Sequence, residues 1–195
     1  MADEPLYSER LIDALGVAAR LHADQARKGS DIPYLSHLLG TCGIALEYGA
    51  SEEEAIAALL HDAIEDVRPT EVARAAVADF GPEVLRIVEG CSDSDTHPKP
   101  PWRERKEAYI AHVADLDAPI LLVSTADKLH NARSIVTDLH RFGPATWERF
   151  KGGRDGSLWY YRALVGAYSA NPAHPRELVD ELDRTVTEME TLAKA

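Results

Sequence analysis

The fold is decided by the stretch Ala57–Asp66, AALLHDAIED, in which an apolar helix carries four ionisable side chains. The predicted helix runs from Glu52 to about Val67 and opens with a capping box at residues 51–54. It is apolar on most sides, which is typical of a helix in the middle of a bundle. Ionisable groups buried there without partners cost roughly several kcal/mol each. A single bound divalent cation would offset the cost of burying these groups.

Two further candidate ligands lie on neighbouring predicted helices. His37 begins the second helix, and Asp127 sits inside an otherwise apolar helix. With His61 and Asp62 they form a set of two nitrogens and two oxygens, which leaves positions open for water and substrate. Mixed histidine and carboxylate ligands suit manganese, iron or zinc better than magnesium alone. Since a lone buried histidine is more often a satisfied core residue, the prediction depends on the combination.

Cationic residues flank these candidate ligands and indicate a phosphorylated ligand. Arg27 and Lys28 end the first predicted helix. The alternative to phosphate binding is that they interact favourably with the dipole at the C-terminus of that helix. Residues 127–162 carry a net charge of +3, although a solvated basic face is the commoner explanation. Three polar residues surround Asp127, namely Lys128, Asn131 and Arg133.

Composition restricts the class of protein. The chain has 195 residues and a net charge of −12, which argues against general binding to nucleic acid or to an anionic membrane. No apolar run approaches the roughly 20 residues of a membrane span, and the acidic N-terminus does not read as a secretory signal. Cys42 and Cys91 are expected to be free thiols in a reducing cytoplasm.

Nearly every segment has helical periodicity, so we expect an all-α fold with one domain spanning residues 1–195. Turn-forming residues predict exposed loops at Cys91–Pro101 and Lys151–Gly156. The predicted helices cover residues 6–26, 36–48, 52–67, 70–79, 82–90, 102–115, 119–140, 157–170 and 175–193.

Three ordered motifs give the sequence a family resemblance. They are Ala26–His37 (ARKGSDIPYLSH), Ala57–Asp66 (AALLHDAIED) and Thr125–Arg133 (TADKLHNAR). Together they resemble the hydrolase domain of RelA/SpoT proteins, over about Tyr7–Tyr168. The length resembles the stand-alone small alarmone hydrolases. The implied fold is an HD-domain helical bundle of about eight to ten helices.

The resemblance also implies an activity and a set of site residues. The activity is hydrolysis of the 3′-diphosphate of ppGpp or pppGpp to GDP or GTP plus pyrophosphate. Glu65 and Asp66 match the catalytic acidic pair, and Asn131 matches a residue near the ribose. Arg27 and Lys28 match residues lining the nucleotide pocket. The positions matching the manganese ligands are His37, His61, Asp62 and Asp127.

The sequence departs from the family pattern in places and leaves rivals open. Leu38 stands where the family usually has proline. Tyr160, Tyr161 and Arg162 are further candidates for contacts with the base or phosphates. The same metal centre suits a phosphatase of nucleotides or of NADPH, and a non-catalytic alarmone-binding protein is the second rival. The division of roles within the acidic pair and the oligomeric state stay open.

Overall fold

The chain forms ten α-helices and two 3₁₀ helices in the residues that the computed structural model describes, 6–92 and 98–194. Within those residues there is no strand, only an isolated bridge between Ala26 and Pro33. The predicted all-α bundle is confirmed. The helices are α1 Glu9–Leu21, α2 Leu35–Glu47, α3 Glu52–Leu60, α4 Ala63–Asp66, α5 Thr70–Ala78, α6 Pro82–Cys91, α7 Trp102–His112, α8 Ala118–Phe142, α9 Gly153–Ala170 and α10 Arg176–Leu192, with 3₁₀ turns at Val113–Asp115 and Gly143–Arg149.

Helices α3 and α8 form the centre of the bundle. Every residue of α3 from Ala55 to Leu60 is buried, as predicted for a helix enclosed on most sides. Helix α8 packs against α2, α3, α6 and α10, and the buried apolar side chains make one continuous core. Cys42 and Cys91 are buried and unpaired, as predicted. In the described ranges no helix is both long and apolar enough to cross a membrane.

The central helix is broken where the sequence predicted continuity. Helix α3 ends at Leu60, and α4 starts at Ala63, so His61 and Asp62 occupy a turn. The His61 ring places Nδ1 2.9 Å from the carbonyl oxygen of Ala58, the acceptor that a continuing helix would offer to the Asp62 N–H. The histidine side chain therefore helps to end the helix that presents it.

The first helix is also shorter than predicted. It ends at Leu21, and residues 25–34 fold back on themselves through hydrogen bonds between Arg27 N and Ile32 O (2.8 Å) and between Tyr34 N and Gln25 O (2.9 Å). Gly29 has φ +72° at the tip, a conformation that favours glycine. The interpretation of Arg27 and Lys28 as complements of a helix dipole is therefore wrong, because both belong to this turn.

One predicted loop is mostly helix. Helix α9 begins at Gly153, inside the segment 151–156 that the glycines suggested was a loop. A Cβ on Gly152 would lie 2.6 Å from the Trp102 ring, and one on Gly156 would lie 3.2 Å from it. These glycines serve close packing, which has no local signature. The other predicted loop, Cys91–Pro101, begins with the last residue of α6, and residues 93–97 lie outside the described residues.

Candidate metal centre and active-site cleft

Four of the predicted residues meet where α2, α8 and the turn between α3 and α4 approach one another. His37 Nε2 lies 3.1 Å from Asp127 Oδ1 and 3.4 Å from Asp62 Oδ2. His61 Nε2 lies 2.9 Å from Asp62 Oδ2 and 3.6 Å from Asp127 Oδ1. Three of these residues, His37, His61 and Asp127, are almost completely buried. Two imidazole nitrogens and two carboxylates thus converge on one small volume.

The donor atoms fit a shared cation. His61 Nε2 is buried and has no hydrogen-bond partner within residues 6–92 and 98–194, despite its short approach to Asp62. When Nδ1–H donates to Ala58 O, Nε2 carries a lone pair, as in metal-bound histidines whose other nitrogen is held by a carbonyl. One ligand atom from each of His37, His61 and Asp127 lies within 4.8 Å of the others. Two bonds of about 2.0–2.3 Å to one ion can join donor atoms up to roughly 4.6 Å apart. Asp127 Oδ1 lies within that reach of His37 Nε2 at 3.1 Å and of His61 Nε2 at 3.6 Å.

The electrostatics of the cluster also favour a cation. Burial alone raises the pKa of Asp127, but Lys128 and the two histidines hold it well below its usual range. Burial lowers the pKa of His61, yet the Asp62 and Asp127 carboxylates raise it well above its usual range. Without metal, the cluster therefore takes up protons to balance its carboxylates. A divalent ion replaces them in this role.

Polar side chains around the cluster hold its two carboxylates in place. Tyr34 donates its hydroxyl to Asp62 Oδ2 at 2.6 Å. Lys128 Nζ and Asn131 Nδ2 each lie 2.5 Å from an oxygen of Asp127. Tyr34, Lys128 and Asn131 also line a cleft of about 1190 Å³, whereas the four cluster residues lie behind its floor.

The cleft is basic although the protein is acidic. Among the residues that the structure describes, ten lysines and arginines line it against four acids, while the chain as a whole carries a net charge of −12. Aromatic side chains, including Trp102 and Phe150, line the same cleft. Concentrated positive charge beside aromatic surface suits a ligand with phosphates and a planar ring.

Comparison with known proteins assigns the family. Residues 14–157 match the family model described as the HD domain. The chain belongs to the HD-domain family. It is 36% identical over 171 residues to the guanosine-3′,5′-bis(diphosphate) 3′-pyrophosphohydrolase MESH1 of Danio rerio, covering 86% of this chain and 89% of that protein. It is 36% identical to the human MESH1 over 147 residues, covering 73% and 76%.

A solved structure agrees with this HD-domain assignment. Its title is "A metazoan ortholog of SpoT hydrolyzes ppGpp and plays a role in starvation responses". It matches with a TM-score of 0.73 and 28% identity, over 94% of this chain and 97% of that one. A structure from Listeria monocytogenes matches with a TM-score of 0.67 and 30% identity, over 82% and 99%. The family predicted from the sequence is confirmed.

The acidic pair, Glu65 and Asp66, faces the cleft. Glu65 and Asp66 both line it, and Lys99 Nζ lies 2.7 Å from Glu65 Oε1 and 3.5 Å from Asp66 Oδ1. Gln25 donates to Asp66 Oδ2 at 3.3 Å. Both carboxylates are therefore held by donors next to open space, which is the arrangement that proton transfer to a bound molecule requires.

The predicted substrate-binding residues all line the cleft, but they differ in their partners. Arg27 donates to Asn131 Oδ1 at 2.8 Å, so these two residues form one edge of the cleft together with Lys128. Lys28 lines the cleft with its ammonium 5.8 Å from the centre of the Phe150 ring. Arg133 also lines it, although its guanidinium is paired with Glu181 of α10.

Of the three C-terminal candidates, two lie in the cleft. Tyr160 and Tyr161 line it, and the hydroxyl of Tyr160 is buried without a hydrogen-bond partner in the described residues. Arg162 is not among the lining residues. Its guanidinium bonds Glu190 and Asp183 of α10 instead.

Several cleft residues were missed by sequence reasoning. Lys99 lies inside the predicted loop Cys91–Pro101, while Arg105 and Lys106 lie on α7, and all three line the cleft. The segment WRERK at residues 102–106 was a visible cluster of cations beside an aromatic residue. Its local pattern reads as an exposed helix face, so only the packing of α7 against α9 reveals that it forms a cleft wall.

Proposed function

We propose that this protein hydrolyses the 3′-diphosphate of guanosine alarmones, converting ppGpp and water to GDP and pyrophosphate, and pppGpp to GTP and pyrophosphate. The observation that carries the proposal is the buried cluster of His37, His61, Asp62 and Asp127 directly behind the floor of a basic cleft. Relatives that share 36% identity carry the name of this activity.

The proposed ligands of the metal are the four cluster residues, and the proposed ion is manganese. Two nitrogens and two oxygens suit Mn²⁺ better than Mg²⁺ alone. When bound, the ion supplies Lewis acidity toward a phosphoryl oxygen and lowers the pKa of a coordinated water.

The cleft residues supply binding and orientation. We assign Arg27, Lys28, Lys128 and Asn131 to the polyphosphate and nucleoside, because they line the cleft next to the cluster. Lys128 is well suited to this role, since its neighbour Asp127 raises its pKa well above the usual range, against the lowering by burial. Arg133 is a peripheral contact, because it is paired with Glu181.

Glu65 and Asp66 are the proposed proton carriers. One carboxylate accepts a proton as water attacks the phosphorus next to the 3′ oxygen, and the bond between that phosphorus and the 3′ oxygen breaks. The ribose oxygen then receives a proton, so GDP and pyrophosphate are the two products. Lys99 contacts both carboxylates and so helps to hold them in place beside the cleft.

The proposed substrate is a small molecule, which agrees with the charge of the protein. A net charge of −12 disfavours nucleic acid, whereas the cleft concentrates cations for one nucleotide. A volume of about 1190 Å³ accommodates a nucleoside with two diphosphates.

The buried thiols of Cys42 and Cys91 suit a reducing compartment, so we propose a cytoplasmic location.

The test is product analysis with a nucleotide panel. Metal-stripped protein reloaded with Mn²⁺ is incubated separately with ppGpp, pppGpp and NADPH, and products are separated by ion-exchange chromatography. We expect GDP and pyrophosphate in equal amounts from ppGpp. Inorganic phosphate as the sole phosphorus product would instead identify a phosphatase, and tight binding of unchanged ppGpp would identify a non-catalytic binding protein.

A pair of histidine variants guards against a contaminating hydrolase. His61→Ala removes a proposed ligand, while His140→Ala removes an exposed histidine of α8 that contacts Glu188. The first variant should lose the activity and the second should keep it. Equal activity in both preparations would contradict the assignment of the cluster as the active centre.

A further inference from the structure

His130 lines the cleft next to the cluster and contacts the nitrogen of His37 that points away from the carboxylates. Its Nδ1 is 2.8 Å from Nδ1 of His37, and the two ring centroids are 4.8 Å apart. His37 Nε2 faces Asp62 and Asp127. The second nitrogen of His37 is therefore held by another histidine, and Thr41 Oγ1 is a longer contact at 3.5 Å.

The tautomers follow from this geometry. If Nε2 of neutral His37 offers a lone pair toward the carboxylates, its Nδ1 carries the hydrogen and donates it. His130 Nδ1 must then be the acceptor, so the hydrogen of neutral His130 resides on Nε2. The His37 ring on α2 faces the carboxylates of the cluster. The His130 ring on α8 determines the orientation and the tautomer of His37.

Gly40 of α2 makes room for this contact. A Cβ at position 40 would lie 2.2 Å from Cδ2 and 2.3 Å from Nε2 of His130. Glycine inside a helix costs about 1 kcal/mol relative to alanine. Its presence here allows the His130 ring to lie against the backbone of α2 and reach His37, one turn earlier in the same helix.

We infer that His130 is a positioning residue for the metal centre, which orients His37 and fixes its tautomer through the contact between the two Nδ1 atoms, and that Gly40 provides the space for it. This inference rests on the proposed metal site. Partners of this kind raise the basicity of the ligand and restrict its rotation, and their removal typically weakens metal binding by about 10- to 100-fold.

The test measures binding of Mn²⁺ alone to metal-stripped protein by isothermal titration calorimetry, so it does not depend on turnover. His130→Ala should weaken binding by about 10- to 100-fold. His130→Asn should bind within about threefold of the unmodified protein, since its side-chain oxygen can take the place of Nδ1 as acceptor. His140→Ala is the matched control, because it removes an exposed histidine from the same helix.

Gly40→Ala supplies an independent arm. It should weaken Mn²⁺ binding in the unmodified protein by displacing the His130 ring, and should have no further effect in the His130→Ala background. Circular dichroism of each metal-free variant confirms that it is folded.

The possible outcomes are distinct. Unchanged Mn²⁺ affinity in folded His130→Ala would overturn the inference, and so would His130→Asn binding as weakly as His130→Ala. If the unmodified protein binds no Mn²⁺, the proposed metal centre itself fails.

Discussion

Replacing Asp127 with asparagine removes one negative charge from the centre of the bundle and changes little in shape. The carboxylate accepts from Lys128 Nζ and Asn131 Nδ2, both at 2.5 Å, and lies 3.1 Å from His37 Nε2. An amide has one acceptor oxygen, so either Lys128 or Asn131 must face the amide nitrogen. The ammonium of Lys128 would also lose its buried counter-charge.

The expected magnitude follows from these contacts. Removing one partner of a buried ion pair costs about 3–5 kcal/mol. For a chain of this size each kcal/mol corresponds to roughly 2–4 °C, so the metal-free variant should melt roughly 6–20 °C lower. Mn²⁺ at 100 times its dissociation constant should stabilise the unmodified protein by about 2.7 kcal/mol and should do almost nothing for Asp127→Asn.

The assay is thermal unfolding followed by circular dichroism, with EDTA and with Mn²⁺. Asp155→Asn is the control, since Asp155 is a mostly exposed acid outside the cleft lining. The folded-state pKa of Asp127 lies below its unfolded value, so its contribution is complete above about pH 4 and is lost as the pH falls through the folded pKa. An Asp127→Asn protein that melts within about 2 °C of the unmodified one, or keeps its Mn²⁺ response, would refute this reasoning.

Four further predictions concern catalysis, pH, substrate binding and packing. Glu65→Gln and Asp66→Asn should retain Mn²⁺ by elemental analysis but lose about 100-fold or more in kcat; loss of the metal in both would make them ligands instead. Because the pKa of His61 is raised in the metal-free cluster, Mn²⁺ binding should release protons and weaken as the pH falls, and calorimetry in buffers of different ionisation enthalpy that detects no proton release would contradict this. Arg27→Ala should raise KM for ppGpp by a factor corresponding to about 1–3 kcal/mol, and an unchanged KM would remove Arg27 from the substrate site. Gly152→Ala should destabilise the fold by about 1–3 kcal/mol, because its Cβ would lie 2.6 Å from the Trp102 ring; an unchanged melting temperature would show that the ring has room to move.

Much of the fold was predictable because its signals are local. The capping box at Ser51 and Glu54 places the start of α3 where the sequence predicted it. The N-cap at Asp117 starts α8 at Ala118, one residue before the predicted start. The apolar character of α3 likewise identified the centre of the bundle. The break at His61 was not predictable from periodicity, because it involves a side chain that competes for its own helix carbonyl.

The site was predictable to the extent that its residues are of unusual types for their surroundings. Ionisable side chains inside apolar helices marked His61, Asp62 and Asp127, and the structure brings them together with His37. The wall of the cleft gave no such signal. Lys106 is an ordinary helix-surface cation in the sequence, and only the approach of α7 to α9 places it over the ring of Tyr160.

The charges of the cluster and the cleft are complementary once a divalent ion is present. Asp62 and Asp127 place two negative charges directly behind a floor formed partly by Lys128. Without a cation, they attract the same ammonium that is proposed to bind phosphate. A divalent ion would neutralise the two carboxylates and would make Lys128 available to a polyanionic ligand. Metal and nucleotide should therefore strengthen each other's binding, and the coupling must be equal in both directions because it is a difference of binding free energies.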